Sequence, residues 1–127
     1  MSNLFLRHGE VQNKKDVFYA NLPGFYLSSK GEKQAKDAGI KIKDQFEIKN
    51  IISSPLLRAR QTAEIVNSVL KINITTSYKI IEWAGPSDWV GKTWDEIKLT
   101  QNFKNADDSP LNLTNTGESL KSVFDRF

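Results

Sequence analysis

Leu4-Phe5-Leu6-Arg7-His8-Gly9-Glu10, with Asn13 three residues further on, opens the chain. Three consecutive apolar residues predict a short buried strand, since a strand covered on both faces reads as a continuous apolar run. The run passes directly into a cation, the only histidine of the sequence and a glycine. In open α/β sheets ligands bind at the carboxyl ends of strands, which is where His8 is expected. Arg7 offers a planar fork of donors that fits phosphate oxygens. Gly9 allows a sharp turn and lets an anion approach main-chain N–H groups. On residue type alone, a single histidine is more often a satisfied surface or core residue than a catalyst. The position of His8, after an apolar run and between Arg7 and Glu10, favours the functional reading.

Further along, residues 14–27 read as a loop rich in aromatics, Phe18, Tyr19, Phe25 and Tyr26, with a turn at Pro23-Gly24. These rings either shape a pocket or cover the edge of the core. Ser28 is the expected N-cap of a helix in which Gly31, Ala35, Ala38, Ile42 and Phe46 share one face. The small residues on that face predict close packing against a sheet. Asn50-Ile51-Ile52-Ser53-Ser54 reads as a second buried strand, and Ser54-Pro55 as the start of a second helix, with serine at the cap and proline at the first helical position. Its apolar face runs through Leu56, Ala59, Ala63, Val66 and Leu70. Arg58 lies in the first turn, where the helix dipole already favours anions. A cation there points either to a bound anion or to a surface pair with a carboxylate such as Glu64. Residues 72–76 alternate as a third strand. Thr93-x-x-Glu96 predicts a capping box before a short helix through Ile97. Residues 101–115 are polar and irregular, and Thr116-Gly117-Glu118-Ser119 begins a last helix whose apolar positions are Leu120, Val123, Phe124 and Phe127. Strands alternate with helices, which predicts a mostly parallel sheet with helices on both faces.

The motifs fall in the order found in the histidine phosphatase superfamily, the phosphoglycerate-mutase-like proteins. Arg7-His8-Gly9-Glu10 with Asn13 resembles the first family signature. Leu27, Ser28, Gly31, Gln34 and Ala35 match a second stretch, with serine in place of threonine. Ser54-Pro55-Leu56-x-Arg58-Ala59-x-Gln61-Thr62-Ala63 is similar to the next signature almost residue for residue. Glu82, after Ile80-Ile81 and beside Trp83, falls where the family carries its acidic proton donor, and Gly117-Glu118-Ser119 resembles the start of a family helix. The resemblance implies a three-layer α/β/α sandwich with a mostly parallel sheet. It implies phosphomonoester hydrolysis through a phosphohistidine on His8, with Arg7, Arg58 and Asn13 binding the phosphoryl oxygens and Glu82 as acid and base. Apolar neighbours should partly desolvate Glu82 and raise its pKa, which suits that role; an ordinary surface carboxylate is the alternative. No metal and no other cofactor is implied, because the arginines supply the positive charge.

Composition limits the competing classes. The 127 residues are 39% hydrophobic and 26% charged, with a net charge of +3, and fit one domain over residues 1–127. The lysines are scattered, with no basic stripe interleaved with aromatics, which excludes a nucleic-acid platform. Without cysteines there is no disulfide, thiolate zinc site or cysteine nucleophile. No apolar run approaches the roughly 20 residues of a membrane span, and the first strand begins too early for a signal peptide, so the expected location is the cytoplasm. The expected partner is a small phosphorylated metabolite or phosphate, with neither nucleic acid nor membrane.

The final helix has no stop signal, and the resemblance implies a further strand that carries a second catalytic histidine, absent from these residues. The expectation is therefore a family domain lacking its C-terminal part. It should be marginally stable, or a homodimer that covers the open sheet edge. Two alternatives accompany the phosphatase: a phosphoglycerate-type mutase, and a catalytically impaired remnant that keeps the fold and anion binding or serves as an interaction module.

Overall fold

The computed structural model describes residues 3–105 and 117–127. The chain divides into two compact units, one formed by residues up to Gln12 together with Gly24–Tyr78, the other by Asn13–Pro23 together with Lys79–Phe127.

The first unit is built on a strand–helix–strand crossover. Strand β1 (Asn50–Ser53) leads into helix α2 (Leu57–Leu70), and β2 (Asn73–Thr76) returns parallel to β1 in the register Asn50↔Asn73 to Ser53↔Thr76. Parallel strands need such a crossover because a tight turn cannot reverse the chain twice. Helix α2 ends at Lys71, which takes the left-handed conformation (φ 57°). Asn67 holds this turn from both sides. Its Nδ2 donates to the Ile72 carbonyl at 2.9 Å, and its Oδ1 accepts from the Ile72 N–H at 2.8 Å. Helix α2 is capped at Leu56, two residues beyond the expected Ser54, whose hydroxyl accepts from the Leu56 N–H at 3.4 Å.

Helix α1 (Ser29–Gln45) starts where the sequence predicts, with the Ser28 hydroxyl accepting from the Gly31 N–H at 3.0 Å. Its small-residue face, however, does not lie on a sheet. It packs against α2. A Cβ on Gly39 would lie 3.2 Å from Val66, so the glycine sets how closely the two helices cross.

Two strand expectations are corrected. Residues 4–6 join no ladder among the described residues, and they are not buried: Phe5 is 76% exposed. Strand β1 forms but is not buried either, since Ile52 is 61% exposed. The physical reason is the same for both. An apolar run is buried only when its faces and edges meet other chain, and among the described residues β1 is covered by β2 at one edge and by α2.

The second unit has an aromatic core. Trp89 and Ile97 are buried, with Phe18, Trp83 and Phe103 against them. Trp89 lies at ring-centroid distances of 5.8 Å from Phe18 and 6.3 Å from Trp83, both edge to face, a geometry that the ring quadrupoles favour. The Trp89 indole donates to Thr100 Oγ1 at 3.0 Å, and the Trp83 indole to the Glu118 carbonyl at 2.7 Å. Of the loop aromatics, Phe18 is therefore part of this core, while Tyr26 of the first unit is exposed.

A 3-10 turn (Tyr78–Ile80) lies at the junction of the two segments, and helix α3 (Trp94–Ile97) follows. The Thr93–Glu96 capping box is present: the Glu96 carboxylate accepts from both the Thr93 N–H and its hydroxyl. Helix α4 (Gln101–Asn105) occupies the start of the stretch expected to be irregular; residues 106–115 of that stretch, and Thr116, lie outside the described residues.

Helix α5 (Leu120–Arg126) is capped by Ser119. Arg126 of this helix donates to the carboxylate of Glu118 at 2.8 Å and to the carbonyls of Lys79 and Ile81. Glu118 also accepts from the Ala84 N–H at 3.0 Å. This ion pair fastens α5 to the 79–84 segment. The apolar face of α5 remains open, with Phe124 74% exposed. No helix among the described residues is long and apolar enough to cross a membrane.

Candidate active site

The segment carrying Arg7 and His8 is held by side chains and turns rather than by a sheet. Buried backbone N–H and C=O groups must be paired somewhere. The Gly9 N–H donates to Thr62 Oγ1 of α2 at 3.1 Å, and the Glu10 N–H to Gln34 Oε1 of α1 at 2.9 Å. The Glu10 carbonyl accepts from the Ser28 N–H, and the Gln12 N–H donates to the Tyr26 carbonyl, each at 2.9 Å. An isolated bridge joins Val11 to Leu27, whose own N–H goes to Gln61 Oε1 at 2.9 Å. Three polar side chains from two helices thus do what strand partners would do.

Gly9 and Gly31 interlock. A Cβ on Gly9 would lie 2.4 Å from the Gly31 carbonyl oxygen, and a Cβ on Gly31 2.1 Å from that of Glu10. Gly9 is needed for this close backbone approach. A left-handed turn, the other use a glycine could have here, is not what the segment adopts.

His8 is half-buried, and its Nδ1 lies 2.8 Å from the Gly9 carbonyl oxygen. A carbonyl can only accept, so Nδ1 carries a proton, and in the neutral form of the ring Nε2 is the basic, nucleophilic atom. Nε2 is shielded from bulk water. A cavity of about 220 Å³ runs along this segment, lined by Arg7, His8, Gln34, Ala38 and Thr62 among others.

Arg7 is exposed and adjoins His8. Arg58 is 1% exposed, among the largest buried side chains of the chain. That removes the surface-arginine alternative: the neighbour that faces Glu64 is the exposed Arg60, at 3.8 Å. Arg58 and the His8 segment are linked through the backbone, because Thr62 Oγ1 donates to the Arg58 carbonyl at 2.8 Å while accepting from Gly9.

Glu10 completes the segment. Its carboxylate accepts from Ser28 Oγ at 2.8 Å and pairs with Lys30 at 3.0 Å. The hydrogen bond from Lys30, then that from Ser28, holds its carboxyl below the usual glutamate range.

Asn13 and Glu82 belong to the second unit. Asn13 closes its own turn: Nδ2 donates to the Val17 carbonyl at 2.8 Å, and Oδ1 accepts from the Val17 N–H at 3.2 Å. Glu82 is exposed, so the expected desolvation by Ile80, Ile81 and Trp83 is corrected. Those apolar neighbours in sequence do not enclose the residue, because Trp83 turns into the aromatic core.

Sequence reasoning singled out Arg7, His8, Asn13, Arg58 and Glu82 but gave no role to Gln34, Gln61 and Thr62, which hold the segment. A signal was present for Thr62: a hydroxyl between Ala59 and Ala63, beside the apolar face of α2, must find a buried partner.

The family model of the histidine phosphatase superfamily (branch 1) matches residues 4–127, and the chain belongs to that superfamily. Over 80 residues it is 34% identical to a 2,3-bisphosphoglycerate-dependent phosphoglycerate mutase of Thermoplasma acidophilum, covering 62% of this chain and 40% of that protein. Over 69 residues it is 38% identical to PhoE of Bacillus subtilis, described as an uncharacterised phosphatase, covering 54% of this chain and 35% of that one. Among solved structures, YhfR of Bacillus stearothermophilus is similar with a TM-score of 0.79 and 30% identity over 94% of this chain and 60% of the other. The fold is therefore the α/β phosphoglycerate-mutase-like one. The chain spans about two fifths of the length of the curated relatives it matches.

Proposed function

We propose that the chain belongs to a cytoplasmic phosphomonoesterase that acts on a small phosphorylated metabolite through a phosphohistidine. The observation that carries this reading is the 2.8 Å contact between His8 Nδ1 and the Gly9 carbonyl, which supports Nε2 as the attacking atom. In the first step Nε2 forms a bond to phosphorus as the ester P–O bond breaks, and Glu82 protonates the leaving alkoxide. In the second step Glu82 takes a proton from water, which attacks phosphorus, and the P–N bond breaks to release phosphate. Arg7, Arg58 and Asn13 bind the equatorial oxygens, where charge must be stabilised. The exposure of Glu82 suits a group that exchanges protons with water in both steps.

The whole protein should hydrolyse p-nitrophenyl phosphate and accumulate an acid-labile phosphoenzyme on quenching. His8→Ala should lower turnover by about 10³-fold or more while phosphate still binds. Retained turnover in that variant rules the assignment out. A phosphoglycerate-type mutase is the second reading, favoured by the Thermoplasma relative. It would return the phosphoryl group to a second hydroxyl of the substrate, so isomerised product in place of free phosphate would select it.

A further inference from the structure

We propose that Thr62 is a positioning residue that fixes the tautomer of His8 through the backbone of Gly9. The inference deepens the phosphohistidine reading and rests on it for its functional meaning. Its physical content is independent.

The argument begins with what the imidazole requires. To present Nε2, the ring must keep its proton on Nδ1, and an acceptor facing Nδ1 enforces this. Here that acceptor is the carbonyl of Gly9, the residue next in the chain. A glycine carbonyl is a poor anchor by itself, because the glycine backbone turns more freely than any other. Gly9 must therefore be held from outside. Its N–H donates to Thr62 Oγ1 at 3.1 Å, and this contact is buried. The hydroxyl is itself oriented, since it donates to the Arg58 carbonyl at 2.8 Å and so turns a lone pair toward Gly9. Thr62 is 4% exposed, so water does not compete for either bond. On the far side Gly9 meets the Gly31 backbone, which blocks rotation in that direction. The chain of contacts runs from the Arg58 carbonyl to Thr62, from Thr62 to the N–H of the His8–Gly9 peptide, and across the Gly9 α-carbon to the carbonyl that faces the His8 ring, whose own peptide is held on its other side by the Glu10 N–H bond to Gln34. Thr62 thereby ties the turn of α2 that carries Arg58 to the residue next to the imidazole.

His8 is the only histidine, so its ring nitrogens can be read without assignment ambiguity in a long-range ¹H–¹⁵N correlation spectrum. The wild-type chain at a pH where the ring is neutral should show the Nδ1–H tautomer. Thr62→Val, which keeps the shape and removes the hydroxyl, should shift the ring to a mixture with a substantial Nε2–H fraction. Thr62→Ser should restore the wild-type pattern. In the whole enzyme Thr62→Val should lower kcat roughly tenfold with KM nearly unchanged. A folded Thr62→Val chain that keeps the pure Nδ1–H tautomer overturns the proposal, as does a Thr62→Ser chain that shifts as far as the valine variant. If the valine variant does not fold, the wild type decides by itself. The Gly9 amide should be strongly protected from hydrogen exchange, and exchange at the rate of an open loop overturns the proposal. The His8→Ala assay tests the nucleophile and the imidazole spectrum tests Thr62, so either can fail alone.

Discussion

Gly31→Ala puts one methyl group into the interlock between α1 and the His8 segment. On an isolated helix the change would stabilise by about 1 kcal/mol, because alanine is the better helix former. Here the new Cβ would lie 2.1 Å from the Glu10 carbonyl oxygen, 2.8 Å from its nitrogen and 2.9 Å from its carbonyl carbon. All three atoms are backbone, so no side chain can swing away, and either α1 or the segment must shift. Overpacking of this kind costs about 1–3 kcal/mol. The shift also strains the Glu10 N–H bond to Gln34 and the Ser28 N–H bond to the Glu10 carbonyl, each worth about 1 kcal/mol net. With the helix gain subtracted, the loss is about 2–4 kcal/mol. For a chain of this length that corresponds to a fall in Tm of roughly 6–20 °C. Thermal unfolding followed by circular dichroism measures it, with Gly39→Ala as the comparison, where the nearest atoms of Val66 lie at 3.2 Å and the loss should be smaller. A Gly31→Ala chain as stable as the wild type, or more stable, would mean that helix propensity dominates and that the segment does not rest on α1 as described.

Two further outcomes follow from the same reasoning. Glu118 is held below its ordinary value of about 4.5, first by the hydrogen bond from Arg126 and then by the Ala84 N–H and the Arg126 charge, against the opposing effect of burial. A depressed carboxyl pKa gives stability that is fully present above the unfolded value and is lost as pH falls through the folded one. Glu118→Gln should accordingly lower the unfolding free energy from urea denaturation at pH 7 by about 1.5–3 kcal/mol, and flatten the loss of stability below pH 4.5; an unchanged acid limb would refute the pairing. Lys71→Gly should stabilise by about 0.5–1 kcal/mol, because a left-handed residue that is not glycine costs about 1–2 kcal/mol and glycine loses part of that gain through chain entropy; chemical denaturation reads the difference, and a destabilised variant would contradict the assigned conformation.

Several parts of this chain were legible from its residues because the forces involved are local. Ser28 begins α1 since a hydroxyl can reach the N–H three residues on, and the same short-range logic places the Thr93–Glu96 box and Ser119. The 57–70 periodicity between two short apolar runs predicts a parallel crossover, which β1, α2 and β2 form. The spacing of Arg7, His8, Asn13, Arg58 and Glu82 pointed to the family, and the match over residues 4–127 bears that out.

What the amino-acid order alone determined is helix α1 with its Ser28 cap, the β1–α2–β2 crossover, the Thr93–Glu96 box and the family; the caps depend on neighbours within about one turn of chain. Tertiary structure decided the rest. Leu4-Phe5-Leu6 reads as a buried strand, but burial belongs to whatever lies against a run and not to the run itself, and Phe5 is open. Glu82 follows two isoleucines and is exposed all the same, for that reason. Arg58 looked equally suited to the surface, yet it is buried while Arg60 turns outward to Glu64, a choice made by the orientation of α2. Gly9 and Gly31 are 22 positions apart, and Gly9 and Thr62 are 53 apart. Only folding brings such groups within hydrogen-bond or van der Waals range, and the direction of the His8 ring is set by those distant contacts.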